Sequence, residues 1–304
     1  MQFDFDFEDV SHQELLIAIG DQDTYARLIV DASVQTCLKA MLGDTVIRFA
    51  EITHEEIPTY ELAEKYSTEE LVKASVLGDE YANLQKIFDL EGVAQSTNIV
   101  MDISRVSYYI YKVVDRQNRR LVAVKKAHQF KGLASAHGRL VSWLNDSLTI
   151  IEKPVFKLDR DFDLVITATE VFALRPNTLA FVAEVSEAAT AAAGERLNAI
   201  GASVSFLALD RLKIYVASHK RGAHLVSAIS GRDDLARLSK DKMSAACAEL
   251  GIQLEATMNG SLGPMPGHEI ALLELLDNRR YVTSLTEDAP KSFIAASRRQ
   301  VSIR

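Results

Sequence analysis

With 304 residues, 48% of them hydrophobic and 25% charged, the chain has globular composition and is long enough for one large or two ordinary domains. Its two cysteines, Cys37 and Cys247, exclude a disulfide framework and a cysteine-rich zinc site, and fit a reducing cytosol. The acidic opening MQFDFDFEDV has no apolar h-region, and no stretch approaches the roughly 20 apolar residues of a membrane span. Membrane association is therefore expected only through a partner.

In chain order, Phe3, Phe5 and Phe7 alternate with Asp4, Asp6 and Glu8, the period of a half-exposed edge strand. Leu15–Ile19 and Ala26–Val30 read as short strands, or as a strand and a helix start. Val34–Leu42 reads as a short helix closed by Gly43. Ser67 followed by Glu70 has the form of a capping box, and Leu71, Ala74 and Leu77 follow at helical spacing. Residues 68–90 are accordingly expected to be helical, with an interruption near Gly78. A polar junction at 94–98 precedes a change to β character. Val106–Val114 is rich in β-branched and aromatic residues, 115–118 is a turn, and Leu121–Val124 returns as the second strand of a hairpin. Further short strands are expected at 140–144, 148–151, 155–158, 164–167 and 171–174, forming a meander or small antiparallel sheet. Then come an Ala-rich helix ending at Gly201, strands at 204–207 and 212–217, a helix carrying Met243, Ala246, Cys247 and Leu250 with Gly251 as its cap, a loop over 259–267, and a helical patch at 270–276. The fold class is α+β (mixed α/β): an acidic N-terminal domain over 1–98, and a larger domain over 99–304 with a mainly antiparallel sheet and packed helices.

The search for chemistry returns little. The loop NGSLGPMPG at 259–267 lacks the Gly-Lys-Ser/Thr ending of a phosphate loop and reads as a turn. Pro58 stands where a second zinc-binding histidine after His54-Glu55 would be needed, and His219 and His224 read as surface or packing residues. The acids Asp159, Asp161 and Asp163 invite a metal-dependent nuclease reading, yet the Glu-x-Lys pattern fails after Glu170, where Val171 and Phe172 follow; a solvated turn, with Asp163 bonded to a backbone group, is the plainer account. No nucleophile elbow is present. No catalytic residue, metal ligand or cofactor is assigned.

Charge is the informative feature. The net charge of −8 conceals −14 over residues 1–100 (20 acidic, 6 basic), +6 over 101–150 (3 acidic, 9 basic) and zero over 151–304. Between Arg105 and Arg139 the only acid is Asp115, and Tyr108, Tyr109, Tyr111 and Phe130 are interleaved. Such a segment can neutralise nucleic-acid phosphates, dock on the acidic N-terminal part or an acidic partner, or simply be solvated.

The run LVAVKKAHQFKGLASAHGRLVSWLNDSLTIIEKPVFKLDRDFDLVI at 121–166, followed by ALLELLDNRRYVTSLTED at 271–288, resembles the KwaB-like family of Kiwa anti-phage defence proteins. The resemblance rests on Phe156-Lys157-Leu158-Asp159, on Phe162-Asp163, and on Leu275-Leu276-Asp277 with Ser284, and spans about residues 100–290. It implies a cytoplasmic DNA-binding subunit recruited to the inner membrane by a KwaA-like membrane protein, with no catalytic residues to carry over. The chain departs from a typical DNA binder in its acidic total, so a local patch, doubled in a homodimer, would carry affinity.

The expected function is thus a DNA-binding, non-enzymatic effector of a membrane-associated defence complex. Its expected phosphate contacts are Arg116, Arg119, Arg120, Lys125, Lys126, Lys131 and Arg139, with Lys220 and Arg221. The alternatives are a metal-dependent nuclease using Asp161, Asp163 and Glu170, and a protein-interaction module that binds no DNA.

Overall fold

The computed structural model describes residues 3–20, 24–52, 57–94, 105–127, 141–144, 147–150, 157–283 and 291–295. Two compact units emerge, Met1–Thr59 with Thr68–Ala183, and Tyr60–Ser67 with Glu184–Arg304. The boundary expected at 98/99 falls inside the first of them. The expected α+β class is observed, with helices beside an antiparallel sheet of seven strands.

The first unit runs β1 (Val10–Ile19), β2 (Thr24–Leu28), α1 (Ala32–Ile52), β3 (Val72–Ser75), α2 (Ala82–Asp89), β4 (Val106–Asp115), β5 (Arg120–Lys126), β6 (Val141–Leu144), β7 (Ser147–Ile150), β8 (Leu164–Ile166), β9 (Glu170–Ala173) and α3 (Pro176–Val182). Seven strands form one sheet in the order β2-β1-β4-β5-β8-β9-β3, and β6 pairs with β7 in a separate ladder. Register builds an apolar row across five of the seven: Leu15 lies opposite Tyr111, Tyr111 opposite Ala123, Ala123 opposite Val165, and Val165 opposite Phe172. That row shares a core with Leu38, Met41, Leu42 and Phe49 of α1, which recur at the three- and four-residue spacing of one helix face. On the opposite face Tyr108, Ile110, Val122 and Val124 are buried as well, while Val114, Arg120 and Lys126 nearer the strand ends are half-buried. Strands covered on both faces read as continuous apolar runs, and any cation within them has to find a partner.

Three local readings are corrected by packing. Residues 3–8 form bends, not an edge strand: Asp6 accepts from the backbone of Glu8 and Asp9, and the phenylalanines turn inward. Phe3 sits edge-on to Phe172 at 5.4 Å and 5.9 Å from Phe49. Helix α1 passes through Gly43, because the buried stripe continuing to Thr45 and Phe49 outweighs the ~1 kcal/mol a helical glycine costs. Residues 68–90 are not one helix. Val72 and Ala74 are buried and Lys73 and Ser75 point away, the period of the strand that pairs with β9, and only the Ala82–Asp89 part is α-helical.

The second unit comprises α4 (Val185–Ser203), α5 (Asp210–Ser218), α6 (Lys220–Ser230), α7 (Lys240–Glu249), β10 (Leu254–Ala256), β11 (Leu262–Pro264), α8 (Glu269–Leu276), β12 (Arg280–Thr283) and β13 (Lys291–Ile294). Leu197, Ile200, Leu212, Val216, Leu225, Val226, Ile229, Leu272 and Leu276 meet in its core. The strand expected over 212–217 is helix α5: Leu212 and Val216 are buried four residues apart, while Ile214, which a strand would place on their face, is 76% exposed. Residues 204–207 likewise form no strand, only a single bridge from Leu207 to Leu262. Gly251 closes α7 at φ +67°, as its position after the apolar stripe predicts. The strand expected over 155–158 begins outside the described residues, and 157–159 carry no regular structure.

Since Phe3 is a core residue, Phe3→Ala should lower unfolding free energy by about 3 kcal/mol in urea titration. A change within ~0.5 kcal/mol would restore the solvent-facing strand reading.

Candidate nucleic-acid interface

The β4–β5 hairpin is closed by a turn whose organiser is Asp115, a fully buried carboxylate. Its Oδ1 accepts from the backbone N–H groups of Gln117 and Arg119 at 2.9 Å, and its Oδ2 from the backbone of Asp6 at 3.1 Å and from Arg119 Nε at 2.7 Å. Asn118 takes the left-handed conformation at φ +61°, which asparagine tolerates better than most residues. Burial by itself would raise the Asp115 pKa; the backbone donors of Arg119 and Asp6 and the Arg119 guanidinium overcome it and bring the value below the ordinary one. Arg119 is held protonated by the same bond to Asp115.

Three arginines gather at this end of the sheet, each facing an acid from the N-terminal hundred residues. Arg116, 76% exposed, lies 2.9 Å from Asp9; Arg119 Nη1 binds Asp4; Arg120 Nη2 donates to Glu91 at 2.6 Å. Arg120 also donates to the Phe88 carbonyl at 3.0 Å, and buried Lys112 donates to that of Leu90. Both cations thereby satisfy carbonyls at the C-terminal end of α2, where the helix dipole favours positive charge. The Arg120 bond holds Glu91 below the usual carboxylate range, and burial followed by the nearness of Arg120 lowers Lys112. The docking of the basic hairpin on the acidic N-terminal part, open from charge counts alone, is thus present in the folded chain.

The expected phosphate contacts are not equivalent in this setting. Lys125 is corrected outright: it is 3% exposed, on the α1 face of the sheet. Since Ala123 lies opposite Val165, the next same-face step along the ladder brings Lys125 against Asp163, at 2.8 Å, with Asp161 at 3.1 Å. Arg120 is half committed to capping α2. Lys126 stands 4.2 Å from the centre of the Phe181 ring, a cation–π contact that leaves it partly accessible. In the second unit Lys220 is 3.2 Å from Glu187 and Arg221 3.1 Å from Glu274. Lys131 and Arg139 lie outside the described residues, as do Phe156 and Ser284 of the resemblance.

The carboxylates of the nuclease alternative are engaged by cations. Asp161 and Asp163 both accept from Lys125 and from Arg175 Nη1, at 2.9 and 2.7 Å; Asp161 further binds Arg48, and Asp163 Oδ2 accepts from Thr178 and from the backbone of Lys126. With Glu69, which bridges Arg48 and Arg175, three acids meet three bases. The backbone bond from Lys126 fulfils the backbone role expected of Asp163, but the turn is not solvated as expected, since Asp161 and Asp163 are buried. Among the described residues no group of three or more His, Cys, Asp or Glu is placed to hold a metal ion. Burial by itself would raise the Asp161 pKa; the Arg175 and Lys125 bonds overcome it and hold the carboxyl at about 2.

Two clefts accompany these charges. One, of about 480 Å³, opens at the hairpin end between Arg119, Arg120 and the β8–β9 turn. The other, about 410 Å³, lies beside α5 in the second unit and is lined by Arg211, Tyr215 and His219, but also by Asp210, Glu255 and Glu269, an acidic surplus that disfavours phosphate. Sequence reading missed the organiser Asp115 and the masking acids Asp4, Asp9 and Glu91. The abrupt step from −14 to +6 was the signal that bore on them.

Fold and charges together define an α+β protein with an internally compensated basic hairpin. No protein-family model, no curated protein and no solved structure matches the chain. Among the described residues no helix is long and apolar enough to cross a membrane.

Lys125→Met should cost about 3 kcal/mol in chemical denaturation, because it strips a buried cation from two carboxylates; an unperturbed stability would contradict the buried network. The Asp161 pKa is depressed in the fold, so its stabilisation is complete above the ordinary value of 3.8 and is lost as pH falls through about 2. Unfolding free energy followed from pH 5 to 2 should therefore drop more steeply in wild type than in Asp161→Asn.

Proposed function

We propose that this chain is a DNA-binding, non-enzymatic effector of an anti-phage complex of the Kiwa kind, contacting the phosphate backbone with the end of its β4–β5 hairpin. The observation that carries the reading is the convergence of Arg116, Arg119 and Arg120 on one turn, beside a cleft large enough for a nucleotide unit. Arg116 and Arg119 are the primary contacts, with Arg120 adding charge from its position at the end of α2; Lys126, opposite Tyr108 at the other end of the ladder, is a separate basic point. The resemblance at 121–166 and 271–288 supplies the biological setting: a cytoplasmic homodimer brought to the inner membrane by a KwaA-like partner. Lys220 and Arg221 stay in the proposal as a second, weaker basic point, and Lys131 and Arg139 as linker contacts.

One geometric point favours a second reading, a module that meets proteins and not DNA. All three hairpin arginines already face carboxylates, as they would on an acidic partner.

Arg116→Ala with Arg119→Ala should weaken duplex binding and reduce the slope of log K against log salt by about 2, one unit for each lost phosphate contact. Fluorescence anisotropy over a salt series measures both, with circular dichroism monitoring the fold and Arg116→Ala alone as the milder variant. Unchanged affinity and slope in both variants would sink the DNA assignment, and co-purification of an acidic protein with no DNA binding would promote the second reading.

A further inference from the structure

We propose that the cleft at the hairpin end is a seat for one backbone phosphate of DNA, and that Asp4 is an internal competitor occupying it. This rests on the DNA-binding reading above and specifies where, and against what, the first phosphate is taken.

Arg119 is built as an oriented receptor. Its Nε is fixed on Asp115, whose carboxylate is itself held by three backbone N–H groups, so the guanidinium plane is set before any ligand arrives. The remaining edge, Nη1, is turned toward the cleft and meets Asp4 there. The opposite wall is the β8–β9 turn, Thr167, Ala168 and Thr169. It comes to the same end of the sheet because β5 and β8 pair antiparallel, with Val122 opposite Ile166. Arg120 adds a second guanidinium, lying 5.5 Å from the Phe88 ring centre. Asp4 is the single acid among the lining residues. Asp115 and Glu91 hold Arg119 and Arg120 from outside the lining, so what the cleft offers a phosphate once the Asp4 carboxylate moves out is the N–H groups those two bonds leave over.

Asp4 has the properties of an occupant that can leave. Its side chain is 90% exposed, whereas Arg119 is 28% and Asp115 0% exposed. Exposed ion pairs are weak, and a phosphodiester offers two anionic oxygens to a guanidinium fork and to the Thr169 hydroxyl across the cleft, the Thr167 hydroxyl being spent on the Glu170 carbonyl. Phe3 and Phe5 on either side of Asp4 are anchored in the core. Rotation of one side chain therefore suffices to open the seat, and the segment stays in place. The same anchoring keeps the carboxylate at high local concentration, so it competes with every weakly held anion.

The test is a double-mutant cycle with duplex DNA as probe, read by anisotropy at low and at physiological salt. Asp4→Asn keeps the shape of the side chain and removes its charge, and should tighten binding about threefold at low salt, the scale of an exposed ion pair. The gain should vanish when Arg119→Ala is present. A gain that survives Arg119→Ala would mean that only net charge changed and overturns the seat. No gain in Asp4→Asn, while Arg116→Ala with Arg119→Ala still weakens binding, overturns the competitor but leaves the DNA reading intact. Insensitivity of DNA binding to every one of these variants, or binding to anionic lipid vesicles with none to DNA, overturns both.

Discussion

A cation inside a sheet covered on both faces has to be neutralised where it stands, and much of the first unit is arranged around that requirement. The pairing of β4 with β5 turns Lys125 toward α1, next to Tyr109 in the ladder and away from water. Lone burial of an ammonium is prohibitive, so the segment entering β8 supplies Asp161 and Asp163, the residue after Leu174 supplies Arg175, and α1 supplies Arg48. Apart from Lys125 these charges come from segments beside the strands, Asp161 and Asp163 just before β8 and Arg175 just after β9, and from α1. The network ties α1, β5, β8 and the start of α3 together, and it accounts for acids that look, by spacing alone, like a metal site.

The same logic, applied nearer to solvent, produces a different outcome at the hairpin end. Asp115 is buried and fixed, yet the arginines it organises reach the surface, where their partners Asp4 and Glu91 are largely exposed and Asp9 is half-exposed. Buried pairs are committed to the fold because breaking one leaves a charge stranded. Exposed pairs exchange readily with water, salt or another anion. That difference separates Lys125, a structural residue, from Arg116 and Arg119, which remain able to take a new partner. It also makes the proposed polyanionic ligand compatible with an acidic protein, since the proposal takes the acids over the basic turn as replaceable partners.

Hairpin β4–β5 was readable in advance because both of its strands are long, β-branched and aromatic, and because Asp115 to Asn118 has turn chemistry. Helix α7 was readable from a four-residue apolar stripe ended by a glycine. The errors fall where one spacing fits two periods. Leu71, Ala74 and Leu77 suit a helix, yet the register with β9 selects Val72 and Ala74 instead. Leu212, Ile214 and Val216 suit a strand, yet α5 buries only the first and third.

The sequence by itself determined the α+β class, the position of the basic hairpin, and the charge step between the first hundred residues and the next fifty, since these depend on local composition and periodicity. Only the tertiary structure decided what each charge does. Whether a lysine on a strand faces water or a carboxylate is set by the register of strands nearly forty residues apart, as with Lys125 and Asp163. Whether an arginine is free or masked is set by a segment more than a hundred residues away, as with Arg119 and Asp4. Such pairings depend on long-range packing, which no local pattern encodes.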